Sequence, residues 1–281
     1  MMDSAKARRT YWAFVLVPLA VLACFYFYPL FKVLWLSVTV PAPGFGNYER
    51  LLTSEAIQRI LLTTLRICLI TTAVALVVGY AIAYAMMQAR PSTRLWMLFI
   101  VLLSFWLSVL VRGFAWITLL QSRGVVNSAL MTLGVIDSPL PLARNEFGVV
   151  LGMVHYLVPY AVLPIWANMQ GIDPRLVPAA RGLGASRFGA FWRVFLPLSL
   201  PGIVSAGILL FIFSLGFYIT PALLGGGKTV MIAEYIAVQV LDTLNWGTGS
   251  MLAGALLLAV IAILALLSRF ANLREVFGAK A

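Results

Sequence analysis

The stretch AARGLGASRFGAFWRVFLP, residues 179–197, interrupts a chain that otherwise consists of long apolar runs. Three arginines, Arg181, Arg187 and Arg193, alternate in it with glycine, alanine and aromatic residues. Arginines are costly at the centre of a bilayer and are usually found at its faces. The stretch is therefore expected to lie at a membrane face, between two apolar runs.

The residues around this stretch predict a short helix that ends in a bend. Asp173 is a good helix N-cap, and Pro174 suits the first helical position because its missing N–H needs no partner there. Gly182 and Gly184 are expected to end the helix, since glycine permits the backbone angles of a sharp turn.

A second short helix is predicted after the bend. Ser186 is expected to cap it, and the helix is expected to cover residues 187–195 and to end before Pro197. Its aromatic residues would rest against the membrane face. The same pattern also fits a lipid-facing amphipathic loop.

The composition of the whole chain indicates an integral membrane protein. Of its 281 residues, 62% are hydrophobic and 10% are charged. In a soluble domain, about a quarter of the residues are usually charged. The apolar runs are continuous rather than alternating, which predicts an all-α fold of membrane-spanning helices. Six spans are predicted, over residues 11–35, 60–87, 95–120, 147–169, 200–223 and 249–269.

The distribution of basic residues predicts how the chain is oriented. An even number of spans places both termini on one side, which has these basic residues: Lys6, Arg8, Arg9, Arg90, Arg94, Arg175, Arg181, Arg187, Arg193, Arg269, Arg274 and Lys280. The other side has Arg50, Arg59, Arg123, Arg144 and Lys228. The positive-inside rule makes the first side cytoplasmic. Three more basic residues fall within spans and are expected to reach the external interface by snorkelling: Lys32, Arg66 and Arg112.

The sequence shows no set of side chains typical of catalysis. The glycine-rich run at 223–230 has Ala222 where the nucleotide-binding motif requires a glycine. His155 is the sole histidine, and Cys24 and Cys68 fall inside apolar runs, so neither a metal site nor a disulfide framework is predicted. The basic residues are scattered between spans, which does not indicate nucleic-acid binding. We expect no enzymatic activity.

Residues 178–197 resemble the EAA motif of permease subunits of ATP-binding-cassette importers. That motif reads Glu-Ala-Ala, three residues, Gly, nine residues, Ile-x-Leu-Pro. Pro178 stands here at the glutamate position and Val194 at the isoleucine position, and the residues that match in register are Ala179, Ala180, Gly184, Leu196 and Pro197. In the family this elbow is the coupling helix, which is seated in a cleft of the ATPase subunit. The resemblance implies that the ATPase-coupling residues are Pro178, Ala179, Ala180, Gly182, Gly184, Ala185, Ser186, Leu196 and Pro197.

The resemblance extends over most of the chain. Residues 63–86 look like the family's second-span region, and residues 111–140 and 217–228 look most like spermidine/putrescine permease subunits. That branch is also similar to permeases for thiamine, iron(III) and other small solutes. The resemblance thus implies half of a translocation pathway, with a polyamine as the favoured solute.

The resemblance also implies the domain organisation, partners and location. It implies one permease domain over residues 1–281, with a type I importer core at about 56–270 and an extra N-terminal span at 11–35. The partners would be a second permease subunit, similar or identical, two ATPase subunits that bind ATP and Mg, and a periplasmic or extracellular solute-binding protein. The chain itself would hold no cofactor and would lie in the bacterial inner membrane, with both termini cytoplasmic.

A substrate pathway is predicted near the fourth and fifth spans, where candidate side chains are His155, Tyr156, Tyr160, Ser214, Tyr218 and Asp242. Aromatic faces attract organic cations, and the predicted external loops also hold the acids Glu49, Glu55, Asp137, Glu146, Glu234 and Asp242. Interhelical hydrogen bonding is the favoured alternative for His155. A self-contained secondary transporter is a further alternative, but it predicts acids within the spans or an inverted repeat, and the sequence shows neither.

Overall fold

The computed structural model describes residues 4–270, with side chains for residues 12–266. Some of the basic residues used to predict orientation lie outside the described residues, either entirely or by their side chains: Lys6, Arg8, Arg9, Arg269, Arg274 and Lys280. The described part of the chain is helical and contains no β-strand. The predicted all-α class is confirmed.

The α-helices of the described residues are α1 (Ser4–Leu22), α2 (Tyr28–Thr39), α3 (Gly46–Thr53), α4 (Glu55–Gln88), α5 (Pro91–Trp106), α6 (Val109–Leu120), α7 (Val125–Thr132), α8 (Glu146–Gln170), α9 (Leu176–Gly182), α10 (Arg187–Ala190), α11 (Leu196–Leu215), α12 (Ile219–Leu224), α13 (Ile232–Ala237) and α14 (Trp246–Phe270). Three wider π-helical turns follow α1, α10 and α13, over Ala23–Phe27, Phe191–Phe195 and Val238–Asp242. The first joins α1 to α2 and the second joins α10 to α11 without a break.

Within the described residues, six helical segments are long and apolar enough to cross a membrane: Trp12–Thr39, Glu55–Gln88, Val109–Thr132, Glu146–Gln170, Arg187–Leu215 and Trp246–Leu266. The predicted number is therefore confirmed. The second, fourth and sixth segments also agree with the predicted spans to within a few residues. The third and fifth differ.

The third predicted span, over residues 95–120, is divided into two helices. Leu107 and Ser108 are extended, so α5 ends and α6 begins within the apolar run. Arg112 explains why this break is tolerated, since its Nη2 donates to the carbonyl oxygens of Ser104 and Leu107. Arg112 is only 6% exposed. The expectation that it snorkels to the external interface is therefore wrong.

The fifth predicted span, over residues 200–223, is displaced towards the N-terminus. Helix α11 ends at Leu215, and a turn at Gly216 separates it from the short helix α12. The membrane-crossing segment begins instead at Arg187, because α10 continues into α11. The apolar run of the sequence continues past the turn, which is why the prediction extended the span too far.

The described residues form two compact units. One consists of the chain up to Glu55 together with Tyr235–Ile261, and the other consists of Ala56–Glu234 together with the chain from Ala262. The second unit begins where the importer core was expected, at about residue 56. The segment 235–261, which was also assigned to that core, groups with the N-terminal part of the chain.

The core of the second unit lies where α4, α8 and α11 pack together. Glycines allow the close approach: a Cβ at Gly79 of α4 would overlap the Cβ of Ala161, and a Cβ at Gly202 would lie 2.7 Å from the Cβ of Asn168. Small residues commonly let backbones approach in membrane helix pairs. This bundle positions both candidate sites described below.

Candidate functional site

The first candidate site is the elbow between α8 and α11, where α9 ends in a Schellman motif. The Ala185 N–H donates to the Ala180 carbonyl at 3.1 Å, and the Gly184 N–H donates to the Arg181 carbonyl at 3.0 Å. Gly184 has a φ of +94°, a left-handed conformation that residues with a side chain rarely adopt. Gly184 therefore ends the helix as predicted, whereas Gly182 remains helical, contrary to the prediction.

The two predicted caps of the elbow differ in outcome. Asp173 Oδ1 accepts a hydrogen bond from the Arg175 N–H at 2.9 Å, and Pro174 lies in the turn that precedes α9 rather than at its first position. The prediction for this pair is therefore wrong by about half a turn. Ser186 Oγ accepts from the Gly189 N–H at 3.0 Å, which confirms the cap of α10.

The predicted end of the second short helix before Pro197 is wrong. The Leu196 N–H donates to the Phe191 carbonyl, which is the wider hydrogen-bonding pattern of a π-helical turn. Proline has no N–H, and in a regular helix its ring crowds the carbonyl four residues earlier. The wider turn accommodates Pro197, so the elbow continues directly into the fifth membrane-crossing segment.

The tip of the elbow is the most exposed part of this region. Leu183 is 91% exposed and Phe188 is 72% exposed. An added Cβ at Gly182 or Gly184 would meet no atom within 4 Å. Along the elbow, Pro178 and Ala179 are also exposed, while Ala180 and Ala185 are half-buried and Leu196 lies half-buried at the start of α11.

Aromatic rings connect the elbow to the bundle. Phe191 and Phe195 of the π-helical turn each contact the ring of Tyr84 on α4, with centroids 5.3 Å apart. Tyr80, one turn earlier on α4, lies with its hydroxyl 3.1 Å from the Ser199 hydroxyl. A displacement of the elbow would therefore reach α4 as well as α11. No local pattern in the sequence indicates these contacts.

The second candidate site is an aromatic cluster centred on Tyr156 and Tyr160 of α8. Their rings stack with centroids 5.5 Å apart, and their hydroxyls lie 3.3 Å apart. Phe217 contacts Tyr156 at 5.1 Å, and Phe213 contacts Tyr160 at 5.1 Å. Phe105 of α5 also contacts Tyr160, with ring centroids 4.8 Å apart. The cluster thus joins α5, α8 and the C-terminal end of α11.

Two polar groups border the aromatic cluster. The guanidinium carbon of Arg112 lies 5.1 Å from the centroid of the Tyr156 ring, a distance at which a cation is attracted to the ring face. His155 Nδ1 accepts a hydrogen bond from the Trp116 indole N–H at 3.1 Å. His155 therefore makes the interhelical hydrogen bond that the sequence favoured.

The other predicted pathway residues lie outside the cluster. Ser214 is fully buried, and its hydroxyl donates to the Phe211 carbonyl at 2.7 Å. Tyr218 is exposed beyond the end of α11. Asp242 is exposed and belongs to the other compact unit. Of the six predicted residues, the cluster includes Tyr156 and Tyr160, and His155 lies at its border.

The cluster and its border also include residues that the sequence did not indicate as pathway residues: Phe105, Arg112, Trp116, Phe213 and Phe217. Phe213 and Phe217 have the same spacing of four as Tyr156 and Tyr160, which places each pair on one side of its helix. That spacing was a usable signal for the two phenylalanines. The position of Arg112 depends on the break before α6, which hydropathy does not reveal.

The acidic residues of the predicted external loops are not equally free to attract a cation. Glu146 forms an ion pair with Arg66. Glu234 is the sole carboxylate residue that is buried in the part of the chain with described side chains, and its Oε2 has no hydrogen-bond partner. Burial raises the pKa of Glu234, although the backbone N–H of Met231 acts in the opposite direction. These two acids are poor candidates for an open cation-attracting surface.

Comparison with known proteins identifies the family. The model of the family described as "binding-protein-dependent transport system inner membrane component" matches residues 75–274. A spermidine/putrescine transport system permease protein of Haemophilus influenzae is 35% identical over 181 residues, which cover 64% of this chain and 63% of the relative. The corresponding Escherichia coli K12 protein is 34% identical over 204 residues, which cover 73% of this chain and 74% of the relative.

A solved structure shares the fold. A chain of a bacterial alginate ABC transporter, in complex with an alginate pentasaccharide-bound periplasmic protein, superposes with a TM-score of 0.76 over 93% of both chains, at 19% identity. The likeness confirms the importer-permease fold that the EAA-like segment implied. The chain belongs to the family of inner membrane components of binding-protein-dependent transport systems.

Proposed function

We propose that this chain is a permease subunit of an ATP-driven importer for polyamines such as putrescine or spermidine. It supplies half of the translocation pathway, and a second permease subunit, similar or identical, supplies the other half. The observation that most supports coupling to an ATPase is the exposed Gly184 bend, which stands in register with the EAA-like segment in a chain of this family.

The elbow is the part of the chain that we assign to ATPase coupling. The apolar tip at Leu183 and Phe188 offers a surface for a cleft in an ATPase subunit. The contacts of Phe191 and Phe195 with Tyr84 would pass a displacement of the elbow into the bundle. Two ATPase subunits bind ATP and Mg in this proposal, and the permease chain binds neither and performs no hydrolysis.

The aromatic cluster is the part of the chain that we assign to the solute pathway. Ring faces attract organic cations by about 0.5–2 kcal/mol each, and Tyr156, Tyr160 and Phe213 offer several faces that remain partly accessible. The two relatives that are named as spermidine/putrescine permeases support a polyamine as the solute. Thiamine, which is also an organic cation, and iron(III) are the competing solutes.

The charge distribution supports an orientation in the bacterial inner membrane. Both termini and the elbow lie on the cytoplasmic side in this proposal, because the loops on that side have most of the arginines and lysines. The loops at residues 40–58, 121–146 and 224–248 then face outward and receive a solute-binding protein.

Reconstitution tests the proposed function. The chain is assembled in vesicles with its partner permease, ATPases and binding protein, and uptake of labelled putrescine and spermidine is measured with and without ATP. We expect saturable uptake that requires ATP and every partner. Uptake by the chain alone would instead indicate a secondary transporter, and uptake of thiamine or iron(III) without polyamine uptake would contradict the assigned solute.

A further inference from the structure

The break between α5 and α6 leaves backbone carbonyls at the end of α5 without helical partners, directly before the third membrane-crossing segment, which begins at Val109. The last four carbonyls of a helix have no partner within that helix, so other donors must satisfy them. Arg112 Nη2 donates to the Ser104 carbonyl and, at 3.2 Å, to the Leu107 carbonyl. A side chain of α6 therefore satisfies the end of α5.

The same guanidinium contacts α8. Arg112 lies over the Tyr156 ring, Tyr156 stacks on Tyr160, and Tyr160 contacts Phe105 in the last turn of α5. Residues on the two sides of the break thus contact the same pair of tyrosines. We call Phe105, Arg112, Tyr156 and Tyr160 the clasp.

The clasp holds a buried cation without a carboxylate. Arg112 is 6% exposed, and no acidic side chain within the described residues pairs with it. Carbonyl oxygens and a ring face hold a cation less tightly than a carboxylate does. In addition, the Nε of Arg112 is buried and has no hydrogen-bond partner. This arrangement leaves one hydrogen bond of the guanidinium unmade.

We propose that Arg112 is a positioning residue for transport, and that the clasp sets the angle between α5 and α6 against the tyrosine pair. In the arrangement seen here, Arg112 holds the end of α5 and the face of Tyr156 together. When the pathway changes state, these contacts exchange and the aromatic cluster reorients. The inference rests on the proposed transport function, but it requires no contact between Arg112 and the solute.

Four substitutions in the complete importer test the clasp. Arg112→Gln removes the cation and most of the donors, whereas Arg112→Lys keeps the charge over the ring. Tyr156→Leu removes the ring face, and Tyr156→Phe keeps it as the matched control. Each variant is measured for uptake and for hydrogen–deuterium exchange of the backbone amides at residues 104–113, which reports the break without any solute.

We expect Arg112→Gln and Tyr156→Leu to raise amide exchange at the break. Arg112→Gln should also lower the maximal uptake rate about tenfold, with KM nearly unchanged. Arg112→Lys recovers part of the rate, and Tyr156→Phe, which keeps the ring face, leaves amide exchange at the break close to that of the wild type. The double variant of Arg112→Gln and Tyr156→Leu raises exchange at the break no more than either single variant, because both remove the same contact.

Two results would overturn the inference. One is unchanged exchange and uptake in Arg112→Gln. The other is a rise of exchange throughout α8 and α11 with a loss of thermal stability, since that is the behaviour of a residue needed only for folding. If the wild type transports a different solute, the exchange measurement still tests whether the clasp holds the break. A wrong solute assignment can therefore be distinguished from a wrong inference about the clasp.

Discussion

Gly184, at the tip of the elbow, has both a left-handed backbone conformation and empty space around it. Different substitutions can test these two properties separately. Its φ of +94° disfavours any residue with a side chain, while the space around it within the chain is empty. Asparagine tolerates left-handed angles far better than leucine or alanine does. A change to asparagine therefore keeps the turn and adds bulk only towards an incoming partner.

We expect Gly184→Ala to lower the free energy of unfolding by about 1–2 kcal/mol, the usual cost of a left-handed residue. Gly184→Asn should lower it less, yet should still reduce ATP-dependent uptake at least about tenfold by blocking the partner. Gly182→Ala is the matched control for stability and should raise it by about 0.5–1 kcal/mol, since Gly182 is helical and unobstructed. Thermal unfolding and vesicle uptake measure both effects, and full uptake with Gly184→Asn would contradict close docking at the bend.

Glu234 makes stability depend on pH. Burial raises the pKa of Glu234 in the folded chain, so folding favours the protonated carboxylic acid. The resulting contribution to the stability of the fold is fully present below the pKa of the unfolded chain and is lost as the pH rises through the pKa of the folded chain. Glu234→Gln keeps an uncharged polar group, so it should raise the melting temperature at neutral pH and make it less dependent on pH between 4 and 8. Glu49→Gln, at an exposed position, is the control and should change neither.

A lower melting temperature of Glu234→Gln than of the wild type at pH 7 would contradict the expected direction of the effect. It would indicate that the ionised carboxylate stabilises the fold.

At the scale of helices, the sequence predicted the existence of elements better than their interruptions. The runs of α4, α8 and α14 were found because twenty or more apolar residues leave few alternatives in a bilayer. The extended pair at Leu107 and Ser108 was missed because both residues are compatible with helix, and the break is stabilised by hydrogen bonds of the Arg112 side chain, which hydropathy does not reveal. The π-helical turn before Pro197 was missed for a similar reason, since proline alone predicts a stop.

The two candidate sites also differ in how far the sequence predicted them. The bend and the second cap of the elbow were predicted from residue types, because Gly184 and Ser186 act through local backbone geometry. Its assignment to coupling came from the resemblance to the EAA motif. The aromatic cluster depends on contacts between α5, α8 and α11 that no local pattern contains. Tyr156 and Tyr160 were predicted as pathway residues from their own helix, whereas Arg112 beside them was wrongly assigned to the external membrane interface.

The contact between α4 and α8 gives a prediction for helix packing. A Cβ at Gly79 would overlap Ala161, whereas a Cβ at Gly207 would lie 3.4 Å from the flexible end of Leu76. Gly79→Ala should therefore destabilise the purified protein by about 1–3 kcal/mol, the usual cost of overpacking. Gly207→Ala should be nearly neutral. Equal melting temperatures for the two variants would show that α4 and α8 can separate without loss of stability.

At the scale of the whole molecule, the distribution of basic residues predicts which face meets the cytoplasm. The side assigned as cytoplasmic includes Arg90 and the arginines of the elbow, whereas the opposite loops include Asp137, Arg144 and Lys228. Buried Arg112 no longer counts as an interface charge, since it is held within the bundle. Its removal from the external side makes the positive-inside bias stronger.

Single cysteines in a background without Cys24 and Cys68 test this orientation. Asp137→Cys and Lys228→Cys lie at exposed positions and should react with a membrane-impermeant maleimide in intact cells. Arg90→Cys and Leu183→Cys, which are also exposed, should react only after the membrane is opened, because the positive-inside rule predicts that the arginine-rich elbow lies on the cytoplasmic side. Labelling of Leu183→Cys from outside would place the elbow on the wrong face for an ATPase and would contradict coupling through Gly184, whatever solute the importer takes up.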